Sequence, residues 1–136
     1  RFTLLNRSAD RMFDDAHARG IAIINAAPYA GGVLAKGSAE MPRITYQPAS
    51  AETLAPVRAI EAICAAHDVA PGAVALQFSM RDPRITSTLV GVSKPERVAQ
   101  SIAWAEADIP QAVWDALAAL PYEKSDPEAN RVYKPG

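Results

Sequence analysis

The residue types best suited to chemistry gather between positions 91 and 101, in the run Gly-Val-Ser-Lys-Pro-Glu-Arg-Val-Ala-Gln-Ser. An apolar, β-branched stretch from Ile85 to Val92 ends at Gly91-Val92-Ser93. A helix is predicted to follow, with Ser93 as N-cap, Pro95 in the first turn and Glu96 three residues after the cap, the pattern of a capping box. Such a turn presents free backbone N–H groups at the positive end of a helix dipole, and Lys94 and Arg97 stand beside them. Geometry and charge would together hold an anion, a phosphate above all. The same spacing suits an ordinary strand-to-helix connection whose Lys and Arg face solvent, and spacing alone leaves both readings open.

Other chemistry-bearing residues are sparse. His17 lies on a predicted helix and His67 at a helix end, positions that suit surface or capping histidines. Cys64 falls on a core stripe and reads as an inert thiol,. Tyr122 and Tyr133 sit in the C-terminal tail, where they would either line a substrate pocket or face solvent. No cluster of His, Cys, Asp or Glu has the spacing of a metal site. No catalytic set is therefore identified in these residues.

The elements that must position the 91–101 turn alternate along the chain. Phe2 to Leu5 reads as a short strand, and Ser8 as the cap of a helix of about 11 residues with Met12, Phe13 and Ala16 as its apolar stripe,. Gly20 falls where a C′ glycine ends a helix. Ile21 to Asn25 is a continuous apolar run, as in a parallel strand covered on both faces,. From Ala26 to about Ser50 the pattern breaks at prolines and glycines, too long a stretch for a passive connection. Its place after a parallel strand predicts a loop over a ligand, against the alternative of a surface insertion. Ser50 then caps a helix to about Asp68 with Leu54, Val57, Ile60, Ile63 and Cys64 buried, and Pro71 starts another with Val74, Leu76, Phe78 and Met80 packing,. The helix after Ser93 is expected to bury Val98, Ile102 and Trp104, and a last one near Pro110 carries Val113, Trp114, Leu117 and Leu120. The tail from Pro121 shows no period.

A chain of 136 residues with 49% hydrophobic and 21% charged residues suits one soluble domain with a sizeable core,. A net charge of −1 gives no reason to expect a nucleic-acid or anionic-membrane partner,. One cysteine rules out an intrachain disulfide framework and fits a reducing, cytoplasmic compartment,. No apolar run approaches the roughly 20 residues of a membrane helix. The chain opens with Arg1 inside a strand-like run, which reads as a processed, cut or incompletely represented sequence,. The order β, α, β, long loop, α, α, β, α, α gives three parallel strands with two open edges. Three βα units and a spare helix make about half of a (β/α)8 barrel of roughly 250 residues. A small open three-layer domain is the alternative.

Three segments in order resemble the last three strands of the aldo-keto reductase superfamily: Arg-Phe-Thr-Leu-Leu at the start, Asn25-Ala-Ala-Pro-Tyr-Ala-Gly-Gly-Val-Leu34, and Gly91 to Ser101. The second is similar to the bacterial aldose 1-dehydrogenase branch, with pyridoxal dehydrogenase as a close relative. The resemblance implies an α/β fold, a (β/α)8 TIM barrel of which residues 1–120 supply the C-terminal portion, the last three βα units plus a C-terminal helix, with 121–136 as a tail. It implies NAD or NADP as cofactor, with a slight preference for NAD. Ala27, Pro28, Tyr29 and Gly31 would lie under the ribose and pyrophosphate. Gly91, Val92, Ser93, Lys94 and Arg97 would surround the adenosine end, and Gln100 and Ser101 would bond the adenine. Ser101 replaces the Asn usual in the family, which costs one expected adenine bond. Phe2 opens the strand expected to carry the nicotinamide-stacking aromatic.

The activity implied is hydride transfer between nicotinamide and a sugar hemiacetal or an aldehyde or ketone carbonyl. The Tyr, Lys, Asp and His that catalyse it in the family lie outside this chain, in the N-terminal half of the barrel, which becomes an implied partner. A non-catalytic half-barrel acting as a nucleotide-binding or assembly module is the alternative function.

Overall fold

The computed structural model describes residues 1–44 and 47–126. Helix α1 spans Asp10–Ala18 and strand β1 Ile24–Ala26; a 3-10 turn, Ala30–Gly32, leads into the single-turn α2, Val33–Lys36. Arg43–Ile44 (β2) and Gln47–Pro48 (β3) pair antiparallel. Then come α3 (Ala55–Ala66), α4 (Pro71–Met80), β4 (Ser87–Leu89), α5 (Glu96–Glu106) and α6 (Gln111–Ala118). Strands β1 and β4 pair in parallel with Ile24 opposite Ser87, Asn25 opposite Thr88 and Ala26 opposite Leu89.

Most of the core forms where α3, α4 and α6 meet the α2 segment: Val33, Leu34, Val57, Cys64, Val74 and Val113 are all at or below 1% exposure. The stripe Leu54, Val57, Ile60 and Cys64 is buried as the three-and-four spacing predicts, with Ile63 half-buried,. Pro71 starts α4 without loss, since the first N–H of a helix has no intrahelical partner,. Gly20, at φ 66°, ends α1 with its N–H on His17 O at 2.9 Å and the Ile21 N–H on Ala16 O at 3.0 Å, a Schellman close,.

Several sequence expectations are corrected. Phe2 to Leu5 is not a strand: the Thr3 hydroxyl accepts the N–H groups of Leu5 and Asn6, each at 3.2 Å, and the Thr3 N–H bonds back to Asn6 O at 2.8 Å. Local side-chain bonding has displaced the ladder. Ser8 does not cap α1; its hydroxyl accepts from the Arg1 amino group, and Ala9 stands at the N-cap. Met12 is exposed, leaving Phe13 as the buried anchor. Ser50 caps only a preceding turn, through Thr53 N–H at 3.1 Å, so α3 begins at Ala55 rather than at Ser50.

The strand pair is covered on one face, not both. Asn25 is buried, its Nδ2 donating to Phe2 O at 3.0 Å and to Ser79 Oγ at 2.8 Å, while Ser79 and Thr88 share a bond of 2.7 Å. On the opposite face Ile24 and Leu89 are 67% and 60% exposed. Met80, Val98 and Ile102, expected in the core, are also exposed, and α5 buries none of its residues fully. These apolar side chains line one groove of about 580 Å³ beside β4, with Leu76, Ile85 and Val90.

The tail's first residues are attached, not free. Arg7 N–H donates to Glu123 O at 2.8 Å and Glu123 N–H to Leu5 O at 2.9 Å, and the Arg7 guanidinium stacks 3.8 Å from the Tyr122 ring centroid. Tyr133 lies outside the described residues. No single helix among the described residues is long and apolar enough to cross a membrane.

Candidate anion-binding groove

The long stretch after β1 is built, and its backbone is unusual. Four of the six residues from 27 to 32 have left-handed φ: Ala27 at 57°, Ala30 at 51°, Gly31 at 75° and Gly32 at 102°. Glycine adopts that region freely; alanine does so at a cost of roughly 1–2 kcal/mol. A tight coil results, closed by Ala30 N–H to Ala27 O at 3.2 Å and Gly32 N–H to Tyr29 O at 2.9 Å. It packs Val33 and Leu34 into the core and turns the chain across the carboxyl ends of β1 and β4, where the Ala27 N–H reaches Leu89 O at 3.3 Å. The following residues are pinned from α3, because Ser38 N–H and Oγ both donate to the Glu61 carboxylate.

This coil and the turn after β4 enclose a groove of about 460 Å³. Of the residues singled out in the sequence, Ala27, Tyr29 and Gly31 line one wall and Gly91, Val92, Ser93, Lys94, Arg97, Gln100 and Ser101 the other. Pro28 is the exception: its ring is wholly buried behind the wall. Sequence positions more than 60 apart thus face one another across a single space, the juxtaposition that spacing alone could not establish.

The 91–101 turn differs in detail from its expected form. Helix α5 starts at Glu96 with Pro95 at its N-cap, and no side chain caps it, so the Ser93–Glu96 capping box is not made. The Arg97 N–H bonds to Lys94 O at 3.1 Å and the Val98 N–H to Pro95 O at 3.0 Å. Two donors expected to point at an anion are therefore used within the turn. Proline fixes its φ near helical values, and here residue 95 is already helical at φ −55°, which draws the chain into a tight first turn without help from Ser93. The positive character of the groove rests instead on side chains: Lys94, Arg97 and Lys36, which sequence reasoning missed. Glu40 is the one carboxylate lining the groove among the described residues, 3.8 Å from Lys36. A Cβ at Gly91 would meet nothing within 4 Å, so that wall is left low.

Tyr29 and Trp104 form the groove's base, edge to face with centroids 5.6 Å apart,. Trp104 is seated by α4 in two ways. A Cβ at Gly72 would stand 2.4 Å from the indole ring, so only glycine leaves room for it, and Gln77 Nε2 donates to Trp104 O at 2.9 Å. Neither Gly72 nor Gln77 carries a sequence signal for this task; a lone glycine early in an apolar helix is the nearest to one. Burial pushes the Tyr29 phenol above its ordinary pKa, and the neighbouring Ser101 hydroxyl and Arg97 guanidinium offset part of that rise,.

A second chamber of about 520 Å³ meets the groove at Ala27 and Gly31. It is bordered by Thr3, Asn6, Asn25, Ile44, Thr53 and Tyr122, among others. Phe2 borders it too, but its ring is 4% exposed and stacked with Phe13 at 4.8 Å and Phe78 at 5.3 Å. That stack commits Phe2 to the core, against the expectation that it would offer a face to a nicotinamide. His17 and His67 line neither space, and no metal-binding group of three or more such side chains occurs among the described residues. Cys64 is fully buried, its thiol pushed up to about 11 by desolvation and by Glu61, and so unreactive at neutral pH,.

Comparison with known proteins adds to this geometry. The aldo/keto reductase family model matches residues 1–121. Pyridoxal 4-dehydrogenase of Microbacterium luteolum is 32% identical over 86% of this chain and 34% of its own length. D-threo-aldose 1-dehydrogenase of a Pseudomonas species is 30% identical over 87% of this chain and 36% of its own. The chain thus spans about a third of the length of these two relatives.

Proposed function

The chain belongs to the aldo/keto reductase family, and from that premise we propose that it supplies the dinucleotide-binding portion of an NAD(P)-dependent oxidoreductase. The single observation that carries this reading is the groove in which the coil 27–31 and the turn 91–101 meet around Lys36, Lys94 and Arg97. Three cations and a close-approaching backbone suit a phosphate-bearing ligand. The residues fit a dinucleotide: Gly31 and Gly91 add no side chain to the walls, and Tyr29 and Trp104 line the groove with aromatic rings. When bound, the nicotinamide supplies the hydride chemistry. This chain's residues bind its phosphates and adenosine and leave the adjoining chamber open at Ala27 and Gly31 for a carbonyl or hemiacetal substrate. The names of the two relatives support an aldehyde or aldose as substrate class.

The fold of this portion corresponds to the C-terminal βα units of a (β/α)8 barrel, residues 1–120, with β1 and β4 as its paired parallel strands and no strand at Phe2 to Leu5, followed by the tail. The exposed face of β1 and β4 and the apolar groove beside β4 support this reading, because they are the surfaces that further strands and helices would cover,. The same surfaces weigh against an independent half-barrel module, which would leave Ile24, Leu89, Val98 and Ile102 in water. The catalytic Tyr, Lys, Asp and His would then come from the N-terminal part of the barrel, the chain's partner in the site. A reducing, cytoplasmic setting agrees with the free thiol of Cys64,.

Cofactor choice leans to NAD, since Glu40 borders the groove and position 91 lacks a side chain that could hold a 2′-phosphate. Titration of the full-length protein with NAD and with NADP, followed by tryptophan fluorescence or calorimetry, tests the reading. Saturable binding is expected, weakened roughly 10-fold in Arg97→Ala by loss of a charge-assisted bond. Absence of binding to either dinucleotide overturns it.

A further inference from the structure

Asn25 is the buried residue of β1, 6% exposed, and its amide is fixed end for end. Its Nδ2 donates to Phe2 O at 3.0 Å and to Ser79 Oγ at 2.8 Å. A carbonyl oxygen only accepts, so the nitrogen must be the end that faces Phe2. Ser79 is tied in turn to Thr88 of β4 at 2.7 Å. Both amide hydrogens are thereby spent inside the protein, and Oδ1 receives no hydrogen bond from the described residues. A buried carbonyl oxygen without a donor is a cost that an apolar strand residue would avoid. Unlike the enclosed Trp114 Nε1, this oxygen is not sealed off. Asn25 borders the chamber of about 520 Å³, and that is the space left to it.

The neighbouring polar side chains of that chamber are already committed. Thr3 Oγ1 accepts the N–H groups of Leu5 and Asn6, and the Asn6 amide is held by Ser8 N–H at 2.9 Å and Ser125 O at 3.0 Å. Thr53 Oγ1 lies 2.9 Å from Ser50 Oγ. Glu52 and Glu123 stand at exposed positions of the rim, where water solvates them. Among the buried residues of the wall, Phe2, Thr3 and Asn25, only Asn25 offers an unused side-chain acceptor. We propose that Asn25 Oδ1 determines substrate specificity, accepting a hydrogen bond from a hydroxyl that the carbonyl substrate carries besides its reacting group. This rests on the reading of the chamber as substrate space and adds the substrate class: hydroxylated aldehydes, or their hemiacetals, over unsubstituted ones. An unsubstituted chain of the same length would leave the oxygen dry and unpaired, which is how a polar site rejects an analogue lacking one hydroxyl.

Propanal, 2-hydroxypropanal and 3-hydroxypropanal are the probes, assayed for kcat/KM with the full-length protein and its dinucleotide. The proteins are wild type, Asn25→Leu, and Ser79→Ala, which keeps the bond to Phe2 and frees one amide hydrogen should the leucine variant not fold. Wild type is expected to favour at least one hydroxylated aldehyde over propanal by roughly 10-fold, the worth of one hydrogen bond to a buried acceptor. In Asn25→Leu that ratio should fall to near one, with the propanal value and the dinucleotide affinity close to wild type; Ser79→Ala should lower it by a smaller factor. Comparing ratios between proteins cancels each aldehyde's own hydration in water. A wild type without hydroxyl preference overturns the proposal, whatever the variants do. So does an equal fall for all three aldehydes, which marks a purely structural role, or a loss of dinucleotide affinity in Asn25→Leu with the ratio unchanged. Wild-type protein that binds no dinucleotide overturns the functional reading itself, whereas normal binding and turnover without hydroxyl preference removes only the role of Asn25.

Discussion

The residues that lead into β4 and those that lead out of it are both rich in charge, and they use it in opposite ways. On the way in, Arg84 is closed on every side. It bonds Asp82 through Nε at 3.0 Å and Nη2 at 2.7 Å, reaches Asp10 at 2.8 Å and Asp14 at 2.7 Å, and lies near the rings of Phe2 and Phe13. On the way out, Lys94 and Arg97 face an open groove, opposite the coil after β1 with its left-handed alanines. Charge satisfied within the protein stabilises it; charge and donors left unsatisfied are available to a ligand. A short strand thus separates a structural clamp from a candidate site, and local bonding, not residue type, tells them apart.

Breaking the clamp should give the largest effect. Arg84→Ala strands the Asp82 carboxylate, which is 13% exposed, and is expected to lower stability by about 3 kcal/mol in chemical denaturation,; the more exposed Asp10 and Asp14 add little,. A loss under 1 kcal/mol would mean the cluster is surface decoration. The same pair carries a pH signature. Arg84, through its side-chain hydrogen bond, holds Asp82 below the usual carboxylate range. A depressed folded value contributes stability that is complete above the unfolded pKa of about 3.9 and is lost as pH falls from there through the folded value. Asp82→Asn should therefore flatten the stability profile below about pH 4 relative to wild type, measured by denaturant midpoints across that range.

Gly72→Ala probes how the groove is supported. Its Cβ must displace the Trp104 ring or move α4, for an expected loss of about 2 kcal/mol together with a changed tryptophan emission,. Unchanged emission would show that Trp104 is not seated as described. The smallest effect is expected at Ala27. Ala27→Gly relieves a left-handed alanine and should raise stability by up to about 1 kcal/mol,. If the strain serves to hold the coil against the groove, dinucleotide affinity falls in the same variant; a gain in both would detach the strain from binding.

Some of this was legible before any coordinate. The α3 stripe, the Gly20 helix stop and the proline start of α4 follow from spacing and backbone preference, which are local properties. So does the gathering of cations after β4. The Ser8 and Ser93 caps are not made although each serine satisfies the cap statistics: the Ser8 hydroxyl accepts from the Arg1 amino group, and α5 starts at Glu96 behind Pro95 without a side-chain cap, whereas Ser50 does accept the Thr53 N–H, in a turn that precedes α3. Phe2 to Leu5 had strand composition, yet the Thr3 hydroxyl offered its N–H groups a nearer acceptor.

The sequence by itself determined the residue set: the coil of 27–32, the cationic turn of 91–101, and the core stripes that bring their elements together. It could not determine that the two segments share one groove, because their approach depends on β1 pairing β4 across more than 60 residues. Nor could it reveal Gly72 as the seat of Trp104, Lys36 as a third cation, or Tyr29 as a buried hydroxyl without a hydrogen-bond partner among the described residues. Those are statements about which atoms are near and which are missing. Tertiary packing alone decides them, since a buried donor counts as unsatisfied only once every neighbour has been placed.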